Sequence, residues 1–177
     1  MSKTNVMSYC YYSMFYDCTS LTQAPELPAT ELAGFCYYNM FFSCTSLTQA
    51  PELPATTLAD SCYGFMFSYC KSLTKAPELP AKTLAKNCYF YMFFSCTSLT
   101  QAPELPATTL ADSCYECMFH NIGHDITINA NIAAKDYIYA IVEGKSGFPV
   151  WVVTINFSDG TFIKIVVNQS ESGGGSN

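Results

Sequence analysis

The stretch Cys36-Tyr37-Tyr38-Asn39-Met40-Phe41-Phe42-Ser43-Cys44-Thr45-Ser46-Leu47-Thr48-Gln49-Ala50-Pro51-Glu52-Leu53-Pro54-Ala55-Thr56-Thr57-Leu58-Ala59-Asp60-Ser61 recurs almost verbatim along the chain. Cys10, Cys36, Cys62, Cys88 and Cys114 are spaced 26 residues apart, and Cys18, Cys44, Cys70 and Cys96 keep the same interval. The array runs from about Val6 to Phe119. A unit this short cannot bury a hydrophobic face alone, so a fixed period of this kind reads as stacked units sharing one core. Val6-Met7-Ser8-Tyr9-Cys10 aligns with Leu58-Ala59-Asp60-Ser61-Cys62, which places the first residues inside a repeat with no evident N-terminal cap.

Within a unit, Leu47 to Ala50 reads as a short strand, cut off by Pro51 and Pro54, which cannot donate to a ladder. Thr57, three residues before Asp60, forms an N-cap-like pair, and the spacing from Leu58 to about Tyr69 predicts a helix. Strand, turn and helix make one coil of an α/β repeat solenoid. Counting from the first cysteine as zero, positions 0, 1, 4, 5 and 8 are Cys, Tyr, Met, Phe and Cys in all four full copies. At about 100° per residue they fall on one side and predict the core, together with Leu47, Leu53 and their equivalents.

Positions 2, 3, 6 and 7 vary and fall on the opposite side. They hold Tyr12, Tyr16, Tyr38, Phe42, Phe65, Tyr69, Phe90, Tyr91 and Phe94 among Ser, Asn, Gly and Asp, the residue palette of binding surfaces. Stacked in register, these aromatics predict a contiguous patch for recognition or self-association. Two plainer readings stand beside it: singly exposed aromatics are ordinary, and this face could pack on the C-terminal segment.

Cys44-Thr45-Ser46-Leu47-Thr48, then Leu53-Pro54, then Met66-Phe67-Ser68-Tyr69-Cys70 resembles the bacterial surface-antigen leucine-rich repeats of the BspA type over roughly two thirds of the chain. The chain departs from that pattern in a longer period, in Met before Phe, and in two prolines per unit. The resemblance implies a leucine-rich-repeat array of short strand plus helix per coil, and a cell-surface or host-contact role in bacteria.

The residues argue against several function classes. With eight Lys and Arg and a net charge of -6, the chain lacks the clustered cations that phosphate neutralisation needs, so nucleic acid is not an expected partner. No run of about 20 apolar residues suggests a membrane span, and the first residues lack the apolar stretch of a secretory signal. The ten cysteines read as free thiols used as small hydrophobes. Cys114, Cys117, His120 and His124 have a zinc-like spacing, but Cys114 is the ordinary core cysteine of its unit, so no metal and no cofactor is expected. His120 and His124 are the only histidines, and Glu26, Glu52, Glu78 and Glu104 repeat as a ladder instead of pairing as acid and base. The chain does not read as an enzyme.

Beyond Gly123 the texture becomes β-branched, with runs at 126–132, 137–142, 150–157 and 161–167, and Ser158-Asp159-Gly160 reads as a hairpin turn. Gly144-Lys145-Ser146-Gly147 marks another turn, not a phosphate loop, because it opens no helix. The expected organisation is a repeat array over 1–121, a β-rich segment over 122–169 that caps it or forms a small sheet, and a flexible tail or linker over 170–177. Two functions fit: a non-catalytic binding or adhesion module facing a protein or glycan on another cell, or a self-assembling subunit of a surface fibre or phage virion.

Overall fold

A computed structural model describes residues 6–137 and 151–167. It overturns the helix-per-coil reading: no α-helix forms among the described residues, and the segments expected to be helical are unbroken runs of turns. The α/β leucine-rich-repeat solenoid is therefore not the fold of this chain. The stretch Cys62-Tyr63-Gly64-Phe65-Met66-Phe67-Ser68-Tyr69-Cys70 explains why. Apart from Met66 it contains none of the strong helix formers, and Tyr, Phe, Ser, Cys and Gly together weigh against propagation of a helix.

In place of a helix, the backbone alternates two kinds of hydrogen bond. In the second unit, the N–H groups of Cys36, Tyr38, Met40, Phe42 and Cys44 close tight turns on the carbonyls of Ala33, Phe35, Tyr37, Asn39 and Phe41. The intervening N–H groups of Phe35, Tyr37, Asn39, Phe41 and Ser43 donate to the next unit, at Asp60, Cys62, Gly64, Met66 and Ser68. Every donor in the segment is thus satisfied, half locally and half by the neighbouring layer. Alternate turns put their third residue at positive φ: Phe35 (56°), Asn39 (55°) and Ser43 (59°) in this unit, and the matching positions in the others. Asn, Asp and Ser tolerate that conformation and hold many of these places, as at Ser13, Asp17, Asn87 and Ser95. Phe65, Tyr69 and Tyr91 also adopt it, at a real steric cost that the inter-layer bonds hold in place.

This geometry repeats every four residues, and over one unit a period of four is close to the 3.6 of a helix. The inward placement read for the invariant positions therefore holds although the helix does not. Cys62, Tyr63, Met66, Phe67 and Cys70 and their equivalents in the second and fourth units are almost fully buried, with Leu47, Leu53, Leu73, Leu79, Leu99 and Leu105 completing the core. The expected strand shrinks to single bridges, Gln23 to Gln49 to Lys75 to Gln101, because the prolines that follow remove the donors needed to extend it. Thr57, expected to cap a helix, instead sits in a second parallel bridge with Glu31, as Thr83 does with Thr109.

The C-terminal part prolongs the stack. Strand β1 (Ile126–Ala130) joins the last repeat through a parallel bridge between Leu105 and Ala130, where the Leu105 N–H donates to Asn129 O at 2.8 Å and the Asn131 N–H to Leu105 O at 2.8 Å. A short 3-10 helix follows at Ile132–Tyr137. Strand β2 (Trp151–Phe157) pairs parallel to β1 with Ile128 opposite Ile155. Strand β3 (Phe162–Val167) pairs antiparallel to β2 with Val153 opposite Ile165. The expected hairpin turn is present, with Gly160 at φ +84°. Ile126, Ile128, Val153, Ile155 and Phe157 are buried in the same core as the repeats. The expected strand beyond Tyr137, the turn at 144–147 and the tail at 170–177 lie outside the described residues.

The two ends of the repeat stack differ. The last turn layer is as buried as the inner ones, with Cys114 at 0% and Tyr115 at 1% relative exposure. The first is open, with Met14 at 58%.

Candidate functional site: the aromatic face

Because each layer sits one hydrogen-bonded step from the next, variable-position rings meet their equivalents directly. One column runs Tyr16–Phe42 (4.9 Å between centroids), Phe42–Tyr69 (5.3 Å), Tyr69–Phe94 (5.0 Å) and Phe94–His120 (5.2 Å). A second runs Tyr12–Tyr38 (5.3 Å), Tyr38–Phe65 (5.6 Å), then Phe65 against both Phe90 (5.3 Å) and Tyr91 (5.0 Å). All nine aromatics expected to form the surface thus fall on these two columns, which His120 closes at its end through Phe94 and Tyr91.

The columns also give these side chains a part in the packing. Only Tyr12 and Tyr16 are exposed; Tyr38, Phe42, Phe65, Tyr69, Phe90, Tyr91 and Phe94 are half-buried by one another. Aromatic pairs at such distances contribute on the order of 0.5–1.5 kcal/mol each beyond their area. Burial, and the facing Tyr12 hydroxyl, push the Tyr38 phenol above its ordinary pKa. The variable positions are not uniformly outward either. Ser68 is fully buried and donates from Oγ to Tyr91 O, at 2.6 Å, and Ser95 is buried where Asn121 Nδ2 donates to its Oγ at 2.8 Å.

Sequence reasoning passed over Tyr9 and Phe35. They sit one place before the first cysteine and stack at 5.0 Å with planes 2° apart, and Phe35 also touches Tyr38 at 5.5 Å. The signal was available, because this position holds Tyr or Phe in two units and Ser or Asn in the rest.

The invariant cysteines do more than fill space. Cys44, Cys70 and Cys96 donate from Sγ to the carbonyls of Phe15, Phe41 and Phe67 in the preceding layer, at 3.0–3.1 Å. The ten cysteines are all free, with Cys10 and Cys18 exposed and the others buried. Desolvation raises the buried thiols, Cys44 to about 11 and Cys36 to about 12.

A second surface is a groove of about 720 Å³ beside the bridge column, lined by Gln49, Glu52, Lys75, Glu78 and Gln101. Among the described residues no group of three or more His, Cys, Asp and Glu gathers as a metal site, and Cys114, Cys117, His120 and His124 do not converge. No helix of the described residues is long and apolar enough to cross a membrane. No family model, curated protein or solved structure matches the chain.

Proposed function

We propose that the protein is a non-catalytic binding module whose working surface is the pair of aromatic columns, and that its partner is another protein. The observation that carries this reading is the continuity of the Tyr16–Phe42–Tyr69–Phe94–His120 column across five layers, in a chain with few charges to compete for that face. Tyr and Phe offer large contact area with little side-chain entropy to lose. Along the columns the rings meet in both ways, parallel at Tyr12–Tyr38 and Tyr16–Phe42, with planes 9° and 2° apart, and edge to face at Tyr38–Phe65 and Tyr69–Phe94, with planes 64° and 81° apart, a mixture that suits the varied side chains of a protein partner.

Placement on the outside of a cell rests on the likeness of the repeat to bacterial surface-antigen units. The alternative, a self-assembling fibre or virion subunit that grows end to end, would need an open last layer, and that one is buried.

The test is binding of the labelled protein to a panel of immobilised extracellular-matrix proteins and glycans, beside the double variant Tyr16→Ser, Phe42→Ser. Saturable binding to a protein, lost in the variant while its melting stays cooperative, is the expected result. Binding to glycans alone, undiminished binding by the variant, or no saturable binding on the panel counts against the proposal.

A further inference from the structure

Where the last repeat meets strands β1 and β2, a pocket of about 320 Å³ opens among Lys82, Glu104, Asn129, Asn131, Asn156 and Ser158. Lys82 departs from the repeat: Thr30, Thr56 and Thr108 hold the same position in the other units. Packing does not account for the change, since the side chain at this position is exposed. On the opposite wall, Asn129 and Asn156 are register partners across β1 and β2, outside the repeat altogether.

The hydrogen-bond inventory of this lining is one-sided. Asn129 Oδ1 accepts from Asn156 Nδ2 at 3.2 Å, Asn131 Oδ1 accepts from the Ala133 N–H at 3.0 Å, and Ser158 Oγ accepts from the Ile132 N–H at 3.2 Å. The protein thus engages oxygens, and what these side chains retain for a ligand is donors: the amide N–H groups of Asn129 and Asn131 and the Ser158 hydroxyl, beside the Lys82 ammonium. Donors grouped with a cation suit a carboxylate, because charge-assisted hydrogen bonds are the strong ones. Glu104, an acceptor only, and the Asn156 carbonyl oxygen suit hydroxyl groups. A simple inorganic anion would meet Glu104 as a like charge and would fill little of a pocket whose volume is that of a small-molecule site. We propose that the pocket binds an acidic sugar unit, a uronic or sialic acid, with its carboxylate on Lys82 and the amide donors and its hydroxyls on Glu104 and Asn156. The site shares no residue with the aromatic columns and goes beyond the function proposed for them.

The experiment titrates the 177-residue protein with glucuronic acid, galacturonic acid and N-acetylneuraminic acid by ligand-observed nuclear magnetic resonance, with glucose and galactose as neutral counterparts and inorganic phosphate as competitor. At least one of the acids binds saturably and about tenfold or more tighter than the neutral sugars, the worth of one charge-assisted contact. Lys82→Thr, which restores the residue of the neighbouring units and so keeps the fold, removes the preference for the acid. Asn129→Asp, which replaces donors by a second carboxylate, also weakens the acid, while Tyr16→Ser, Phe42→Ser leaves its binding unchanged. Absence of saturable binding by all three acids overturns the proposal, as does equal binding of the neutral sugars or undiminished binding by Lys82→Thr. Displacement of the acid by an equal concentration of phosphate overturns it by making this a plain anion site. Loss of binding in the aromatic double variant, with its melting still cooperative, overturns it by moving the site to the columns.

Discussion

The ring of Tyr38 occupies the space that a side chain at position 64 would need: a Cβ built on Gly64 would lie 2.7 Å from Tyr38 Cε2. The glycine is there for close approach of a ring from the preceding layer and not for a turn, since its φ is not among the positive ones. Gly64→Ala should push Tyr38 out of its stack with Tyr12 and cost about 1–3 kcal/mol by urea unfolding. In the background Tyr38→Ala the same substitution should cost much less; an equal cost in both backgrounds would place the clash elsewhere.

Asn39 separates the observed turns from a helix by the sign of one effect. At φ 55° a β-carbon without a polar group to compensate it is disfavoured, so Asn39→Ala should destabilise by about 1 kcal/mol while Asn39→Gly is close to neutral. In a helix the order would reverse, because Ala is the best helix former and Gly among the worst. Urea melts of the two variants decide it, and far-ultraviolet circular dichroism of the parent should show no helical double minimum.

Phe67 lies between Phe41 and Phe93 at 5.6 and 5.7 Å and is fully buried. Phe67→Ala should cost about 3–5 kcal/mol. A loss below about 1 kcal/mol would mean that the layer collapses around the gap or that the ring is not core.

Alkaline pH should unfold the protein. Burial raises the thiols of Cys44 and Cys36 from an ordinary 9.0 to about 11 and about 12, and raises Cys62, Cys70, Cys88 and Cys96 further. A group whose pKa is higher in the folded state favours folding fully below its unfolded value and loses that contribution as the pH climbs toward the folded value. The melting temperature should therefore be flat below pH 9 and fall steeply above it, with the buried phenols Tyr63 and Tyr89 steepening the fall. Unchanged stability up to pH 11 would contradict the burial of these groups. At neutral pH only Cys10 and Cys18 should alkylate readily.

What the sequence disclosed and what it hid have a common physical origin. Invariance among copies marks burial whatever the backbone does, so Cys62, Met66 and Phe67 could be placed in the core without knowing the local structure. The turn ladder was hidden because a period of four imitates a period of 3.6 over nine residues. Composition carried the correcting signal: Asn39, Ser43, Asp17 and Asn87 recur at every fourth place, and such residues accept a left-handed backbone while weighing against a helix. The column partners of Tyr38 and Phe42 followed from the register, but their half-buried state did not, since that depends on how thin a layer is. A helix-packed array would have set neighbours about 8–10 Å apart and left the rings separate; hydrogen-bonded layers bring them to about 5 Å and let them cover each other.

The one-way bonding between near-identical layers also has a mechanical meaning. Stretched along the stack, the molecule presents a row of similar interfaces in series. Rupture should proceed one unit at a time, each event releasing 26 residues, or roughly 85–95 Å of extended chain. A structure of this kind would yield in steps, as a tether that lengthens under load before it breaks.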